Sequence, residues 1–401
     1  MKIGLILLSF LCFSIANSNA QGKYQYKPDK ALLKTIDKNF TDAAAQYKVL
    51  AKNLPAEKFP KTYFPTTDKY EFSSSSWWCS GFYPGTLLYL YQQTKDTALY
   101  HEATRILDVL KKEQFNTHTH DLGFMMYCSF GNANIVDPST AYKDVLVNSA
   151  KSLSTRFNPT VGCIKSWDGK PNEYLVIIDN MMNLKLLFWA TKATGDSSFY
   201  KIAVSHANTT MKNHFRADNS SYHVINYDAA TGAVLQKKTA QGFADESAWA
   251  RGQAWGLYGY TEVYRETKDK KYLEQANKIA AFILSNPNFP ADKIAYWDFN
   301  APGIPNALRD ASAAAVMASA LLELSTYVDK KLADQYFRTA ETIIKNLSTP
   351  KYKAAAGKNG GFILQHGVGH MPNKTEIDVP LTYGDYYFVE AMIRYKNLAK
   401  K

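Results

Sequence analysis

One phrase recurs through this chain, and it limits the possible folds more than any other feature. "GTLLYLYQQTKDTALYHEATRILDVL" returns as "NLKLLFWATKATGDSSFYKIAVSHANTTMKNHF", then as "AWGLYGYTEVYRETKDKKYLEQANKIAAFILSN", then as "SAAAVMASALLELSTYVDKKLADQYFRTAETIIKNL". Each copy is an apolar segment, a turn at Lys95, Gly195, Lys268 or Asp329, a Tyr or Phe, and an amphipathic segment. The first interval is twice as long as the others, and "DLGFMMYCSFGNANIVDPSTAYKDVLVNSAKSLSTRF" fills it as a further hairpin. A leading helix over residues 30–54 and a closing one in "YGDYYFVEAMIRYKNLA" bring the total to about six helical pairs. The first segment of each pair is apolar on every side and rich in small residues, so it is buried. The second keeps a polar face, so it lies outside. Two concentric rings follow, and the expected fold is all-α, an (α/α)6 barrel of six helical hairpins. An open solenoid would need polar capping repeats at both ends, and the pattern has none.

The chain opens "MKIGLILLSFLCFSIANSNA/QGK". Lys2, an apolar core from Ile3 to Ile15, and the small residues Ser18 and Ala20 read as a signal peptide spanning 1–20. Cleavage near Ala20 predicts a periplasmic or secreted protein whose single catalytic domain spans 21–401. The apolar run is too short for a membrane anchor, and no later stretch spans a bilayer. The net charge is +11, or +10 once Lys2 is removed. A basic exported protein suits acidic partners. Arg-rich blocks and nucleic-acid motifs are absent, so nucleic acid is not the expected partner and an acidic saccharide is. Cys79, Cys128 and Cys163 survive export as an odd number, which suits buried free thiols. No CxxC motif or His/Cys cluster calls for a metal, and no cofactor is expected.

In this register several polar residues start the inner helices, at one end of the barrel. They are Asp121 in "HTHDLGFMMY", Asp179 in "YLVIIDNMMN", Arg251 in "SAWARGQAWG" and Asp310 in "RDASAAAVMA". Asp is also a common helix cap, and Asp310 is read as one. Asp121 and Asp179 lie on adjacent inner helices, and two close carboxylates cannot both ionise easily. Such a pair suits acid–base work. A long insert, "SSYHVINYDAATGAVLQKKTAQGFADESAWARGQAW", carries a β-hairpin in which "HVINYD" and "AVLQKK" flank the turn "AATG". It brings His223, Lys237, Thr239 and Gln241 to the mouth. Arg251 has the geometry to fork onto a carboxylate, or to pair with Asp245 or Glu246. Trp77, Trp78, Trp249 and Trp255 suit stacking on sugar faces, or core packing.

The blocks "WWCSGFYPGTLLYLY", "HDLGFMMYCSFGNA", "IIDNMMNLKLLFWA", "TAQGFADESAWARGQAWGLYGY" and "ILQHGVGHMPNKTEIDVPLTYGDYYFVEAM" resemble the unsaturated glucuronyl hydrolases of glycoside hydrolase family 88. The sister unsaturated rhamnogalacturonyl hydrolases typically carry Arg-Gly-Asn-Gly-Trp where this chain has "RGQAW" from Arg251 to Trp255. The resemblance implies hydrolysis of an unsaturated uronic acid from lyase-generated oligosaccharides, with those derived from glycosaminoglycans as the expected substrates. It implies Asp179 as proton donor and later base, and Asp121 as second carboxylate. Trp78, His223, Thr239, Gln241, Trp249, Arg251 and Trp255 match substrate-lining positions. His366 to Lys374 resembles the loop that faces the next sugar, and it has Lys374 but lacks the serines with which some relatives hold sulfate. The expected state is a monomer or weak homodimer. A rhamnogalacturonyl or ulvan-type hydrolase on the same barrel is the alternative enzyme, and a non-catalytic glycan-binding protein the alternative class.

Overall fold

The structure is a computed structural model that describes residues 24–170 and 173–400. The expected signal peptide lies outside the described residues. The leading helix α1 (Lys30–Asn53) belongs to an outer ring with α3 (Thr97–Leu110), α5 (Thr140–Ser154), α7 (Ser197–Asn213), α9 (Lys270–Ser285) and α11 (Lys330–Leu347). The inner ring is α2 (Phe82–Thr94), a π-helix Gly123–Gly131 continued by α4 (Asn132–Val136), and a 3-10 turn Ile178–Asn183 continued by α6 (Leu184–Thr194). It is completed by α8 (Ala250–Thr267), α10 (Ala311–Leu324) and α12 (Thr382–Leu398). The ring closes because α12 packs on both α10 and α2, with α1 against α2 and α12 outside them. The (α/α)6 barrel expected from the repeat is the observed fold.

The TKD and TGD turns work as paired caps. Lys95, Gly195 and Lys268 end α2, α6 and α8 in the left-handed conformation. The next Asp then caps the outer helix: Asp96, Asp196 and Asp269 accept hydrogen bonds from the backbone N–H of Ala98, Ser198 and Lys271. The left-handed residue reverses the chain, and the carboxylate satisfies an orphan donor. The two helices of a pair bury different surfaces. α10 is buried at nearly every position, whereas α11 buries a stripe of Ala333, Tyr336, Phe337, Ala340, Ile343, Ile344 and Leu347. That spacing is one helical face.

The expected hairpin is β6 to β7 in a set of nine described strands. In chain order these are β1 (Phe59–Phe64), β2 (Lys69–Ser73), β3 (Phe157–Asn158), β4 (Cys163–Ile164), β5 (Glu173–Ile177), β6 (Val224–Asp228), β7 (Val234–Lys238), β8 (Gly367–His370) and β9 (Thr375–Val379). β5, β6 and β7 form one antiparallel sheet, with Ile177 opposite Val224 and Val224 opposite Lys238. β1–β2 and β8–β9 are further hairpins. The sequence concealed β5 because a buried strand and a buried helix start share the same unbroken apolar run.

Two inner helices also depart from the expectation that Asp121 and Asp179 each open an ordinary α-helix. Asp121 leads into the wide turns of the π-helix, and Asp179 lies in the 3-10 turn. Tight packing holds these segments. A Cβ on Gly123 would come within 2.4 Å of Asn183 Cα, and one on Gly259 within 2.5 Å of Met181 Cβ. Both glycines therefore let neighbouring inner elements approach backbone to backbone.

Candidate active site

A cavity of about 510 Å³ opens where the inner helices begin, a size typical of small-molecule sites. Its wall includes Asp121, Asp179, Trp77, Trp78, Gln241 and Arg251 from the sequence expectations. Lys61, His120, Trp167, His370, Glu376 and Tyr383 line it as well. Of these six, His370 falls in the segment His366 to Lys374 expected to face the next sugar, and the other five were not singled out as site residues. His120 stands directly before Asp121, which was a usable signal. Lys61 and Glu376 sit on β1 and β9, outside the helical repeat, and nothing local marked them.

Asp179 reaches the cavity because β5 delivers it there. The strand ends at Ile177, and the Ile178 N–H donates to the carbonyl of His223, 3.0 Å away. That bond sets His223 beside Asp179, with Nε2 3.6 Å from Oδ2. The backbone N–H groups of Ala240 and Gln241 donate to His223 Nδ1, at 3.1 and 3.2 Å. Nδ1 is thus an acceptor, and the proton of the neutral ring sits on Nε2, facing Asp179. Burial, followed by the Arg251 charge, pushes the His223 pKa well down, so the ring is neutral and the two groups are not an ion pair.

Burial raises the Asp179 carboxyl to about 7; Arg251 opposes the rise and Asp121 adds to it. Its Oδ2 is buried without a hydrogen-bond partner in the protein. Burial raises Asp121 to about 7 as well, against the Asn183 hydrogen bond and the Arg156 charge. Asn183 Nδ2 donates to Asp121 Oδ1 at 3.2 Å, while its own Oδ1 accepts from the Phe124 N–H. His120 Nε2 lies 3.2 Å from Asp121, but burial takes its pKa down to about 3 and the ring is uncharged. Relative exposures of 8% and 9% for Asp121 and Asp179 describe carboxyls that are nearly dry yet reach the cavity wall. Two such groups, each poised near neutrality, can pass a proton to a substrate and recover it. A raised pKa alone does not make a site. Asp385 is also pushed to about 7 by burial, but the Ile363 and Leu364 N–H groups and the Tyr47 hydroxyl occupy its oxygens, and it lies off the cavity wall.

Arg251 corrects two expectations. It pairs with neither Asp245 nor Glu246. Its Nη1 donates to Asp310 Oδ2 and the Val368 carbonyl, and its Nη2 to Gln241 Oε1 and the Gly369 carbonyl. Four of its N–H donors are thus committed within the protein, so the fork is not free for a substrate carboxylate. Arg251 instead ties α8 to α10, to the Gln241 loop and to β8. Asp310 caps α10 through the Ser312 N–H, as expected, and is also the partner of this guanidinium.

The other expected ligands divide. Trp78 lines the cavity and packs on Phe82, Phe124 and Tyr383. Trp77, 41% exposed, lines it beneath the Lys61 ammonium. Trp249 and Trp255 are not available to stack on a sugar, being 3% and 0% exposed. Trp249 lies against His223 and Arg251. Trp255 packs on Phe124 and Tyr387. Both sit at the start of an inner helix, where the ring of neighbours closes over them. His223 stands behind Asp179 rather than on the wall. Lys237, Thr239 and Lys374 are also off the wall. Lys237 lies on β7 with its ammonium over the Tyr222 ring. Thr239 Oγ1 accepts from the Gly242 N–H and shapes the loop carrying Gln241. Lys374 is exposed at the β8–β9 turn, whose Gly369, His370 and Asn373 do reach the cavity. Among the described residues, no group of three or more His, Cys, Asp or Glu is placed to hold a metal ion, and no helix is long and apolar enough to cross a membrane. The cysteines Cys79, Cys128 and Cys163 are free.

Comparison with known proteins adds to this geometry. Residues 55–397 match the model of Glycosyl Hydrolase Family 88. The chain is 44% identical over 388 residues to an unsaturated glucuronyl hydrolase of Formosa agariphila, covering 96% of both chains. It is 31% identical over 344 residues to an unsaturated chondroitin disaccharide hydrolase of Streptococcus pneumoniae, covering 83% of this chain and 86% of that one. A crystal structure of an unsaturated glucuronyl hydrolase specific for heparin superposes with a TM-score of 0.89 at 48% identity, covering 92% of this chain and 98% of the other.

Proposed function

The chain belongs to glycosyl hydrolase family 88, and from that premise we propose that it removes the Δ4,5-unsaturated uronic acid from the non-reducing end of glycosaminoglycan oligosaccharides left by a lyase. The bond at issue is a vinyl ether, made by the C4=C5 double bond and the ring oxygen. Protonation of C4 gives an oxocarbenium-like cation, water adds at C5, and the resulting hemiketal opens to release the next sugar. Asp179 is the donor in this reading. Its carboxyl, raised to about 7, still holds a proton near neutral pH, and the residue lies on the cavity wall. Once ionised, the same group takes the proton of the attacking water. Asp121, held by Asn183, keeps a second carboxyl beside the reacting ring and steadies the cation. The neutral His223 N–H and the Gln241 loop orient the group behind. The observation that carries the proposal is two nearly dry carboxyls, both poised near 7, on the wall of one cavity.

Heparin-type fragments are the favoured members of the class, supported by the likeness to the heparin-specific structure and by the basic charge of the chain. The leader ending near Ala20 supports export, to the periplasm or beyond. The test is the loss of ultraviolet absorbance of the conjugated double bond, over unsaturated heparin, chondroitin, rhamnogalacturonan and ulvan disaccharides. The expected result is turnover of the glycosaminoglycan disaccharides, heparin type foremost. A preference for a rhamnose-containing fragment overturns the substrate class, and no turnover of any overturns the reaction.

A further inference from the structure

A second cleft, of about 450 Å³, is lined in part by residues adjacent in sequence to those of the catalytic cavity. Its lining is mostly aromatic and aliphatic: Phe243, Trp297, Pro302, Leu308, Met371 and Pro372, with Asn306 and Ala307 beside them. Two short segments separate the hollows. In one, Gln241 faces the cavity while Gly242 and Phe243 face the cleft. In the other, His370 and Asn373 face the cavity while Met371 and Pro372 face the cleft. The tip of that second segment, 372–375, is exposed.

We propose that this cleft binds the downstream, reducing-side sugar of a substrate longer than a disaccharide. The inference rests on the function proposed above. Three observations select this occupant. Neighbouring residues of the same two segments line the cleft and the cavity that takes the terminal uronic acid, so a saccharide leaving that cavity across the exposed 372–375 tip arrives there. Its chemistry is that of sugar recognition, with aromatic faces for pyranose C–H groups and an amide for a hydroxyl. Phe243, an aromatic ring 51% exposed to solvent, is otherwise unexplained as core. Binding energy from a remote sugar can hold the reacting end in place.

The experiment compares an unsaturated heparin disaccharide with the tetrasaccharide of the same series, in the wild-type protein and in Phe243→Ala and Ala307→Phe. The first removes a stacking face and the second places a bulky ring at another position of the cleft lining. For both variants we expect kcat/KM on the tetrasaccharide to fall about tenfold, through KM, the scale of losing one aromatic anchor. Disaccharide kinetics should stay within about twofold for Phe243→Ala. Equal losses on both lengths, or an unaltered tetrasaccharide KM in both variants, overturn the proposal. Wild-type failure on the disaccharide overturns the reaction itself, so the two failures are distinguishable. Melting temperatures of the variants separate loss of fold from loss of binding.

Discussion

Asp179 was conspicuous because a lone carboxylate in "YLVIIDNMMNLKLLFWA" is costly to bury. Burial raises its carboxyl to about 7, so the fold favours the protonated, uncharged form. Asp179→Asn preserves shape but cannot cycle that proton, and general acid–base work is worth about 100- to 10,000-fold. Steady-state kinetics should show a kcat loss in that range, while substrate still binds to the folded variant. Turnover within a few-fold of wild type removes Asp179 from its role. A second consequence concerns stability. The folded-state pKa of about 7 stands above the ordinary 3.8, so folding favours the protonated form. The contribution is fully present below pH 4, and it is lost as pH rises through 7, where the fold must hold a buried anion. Asp121 shifts in the same direction and adds to the trend. Asp179→Asn should therefore raise the melting temperature at pH 8 relative to wild type, and by less at pH 4.5. A variant that melts lower at pH 8 contradicts the dry, proton-holding environment. Arg251 was less legible. Its place at the start of α8 came from the repeat, but its partners come from α10, β8 and the Gln241 loop, and no local pattern reports them.

Among the elements, the inner ring is also tied together by charge. Lys185 of α6 pairs with Glu262 of α8 at 3.1 Å, and Arg265 bridges Glu262 to Glu323 of α10 at 2.8 and 2.7 Å. Arg394 of α12 then meets Glu323 at 2.7 Å and Glu390 at 3.6 Å. Burial pushes Glu323 up, but Arg394 and Arg265 outweigh it and hold the carboxyl at about 2. Its contribution to stability is present above the ordinary value of 4.5 and is lost as pH falls towards 2. Removing one partner of a buried network leaves the others uncompensated, at a cost of about 3–5 kcal/mol. Denaturant unfolding of Glu323→Ala at pH 7 should show a loss of that size. Its stability should also depend less on pH between 4.5 and 2 than that of the wild type. A loss below about 1 kcal/mol would mark the cluster as solvated. The sequence showed these residues only as single charges within apolar helices, because their partners lie on three other helices.

For the whole molecule, the net charge of +11 acts on encounter rather than on fold. The cations on the cavity wall are Lys61, which also contacts Glu71 and Glu376, and Arg251, whose donors are largely committed. Attraction of an anionic saccharide therefore comes from the surface as a whole. Such attraction is screened over a Debye length of about 10 Å at 0.1 M salt. On a heparin-type disaccharide, kcat/KM should fall with ionic strength more steeply than kcat. Equal sensitivity, or none, would place recognition in the cavity alone.

Length, helical pairing and the inner–outer division followed from the sequence, because each depends on residues a few positions apart. A left-handed residue followed by a capping Asp reads the same wherever it occurs, and an all-round apolar helix must be buried whatever surrounds it. The two aspartates could be singled out for the same reason, since their cost lies in their immediate neighbours. Only the tertiary structure decided which groups stand around them. β5 was hidden in an apolar run, His223 met Asp179 through a strand pairing, and Trp249 and Trp255 were closed over by other helices. The Arg251 fork was taken up by carbonyls more than a hundred positions away in sequence. Burial and charge partnership are sums over neighbours in space, and a barrel gathers those neighbours from the whole length of the chain.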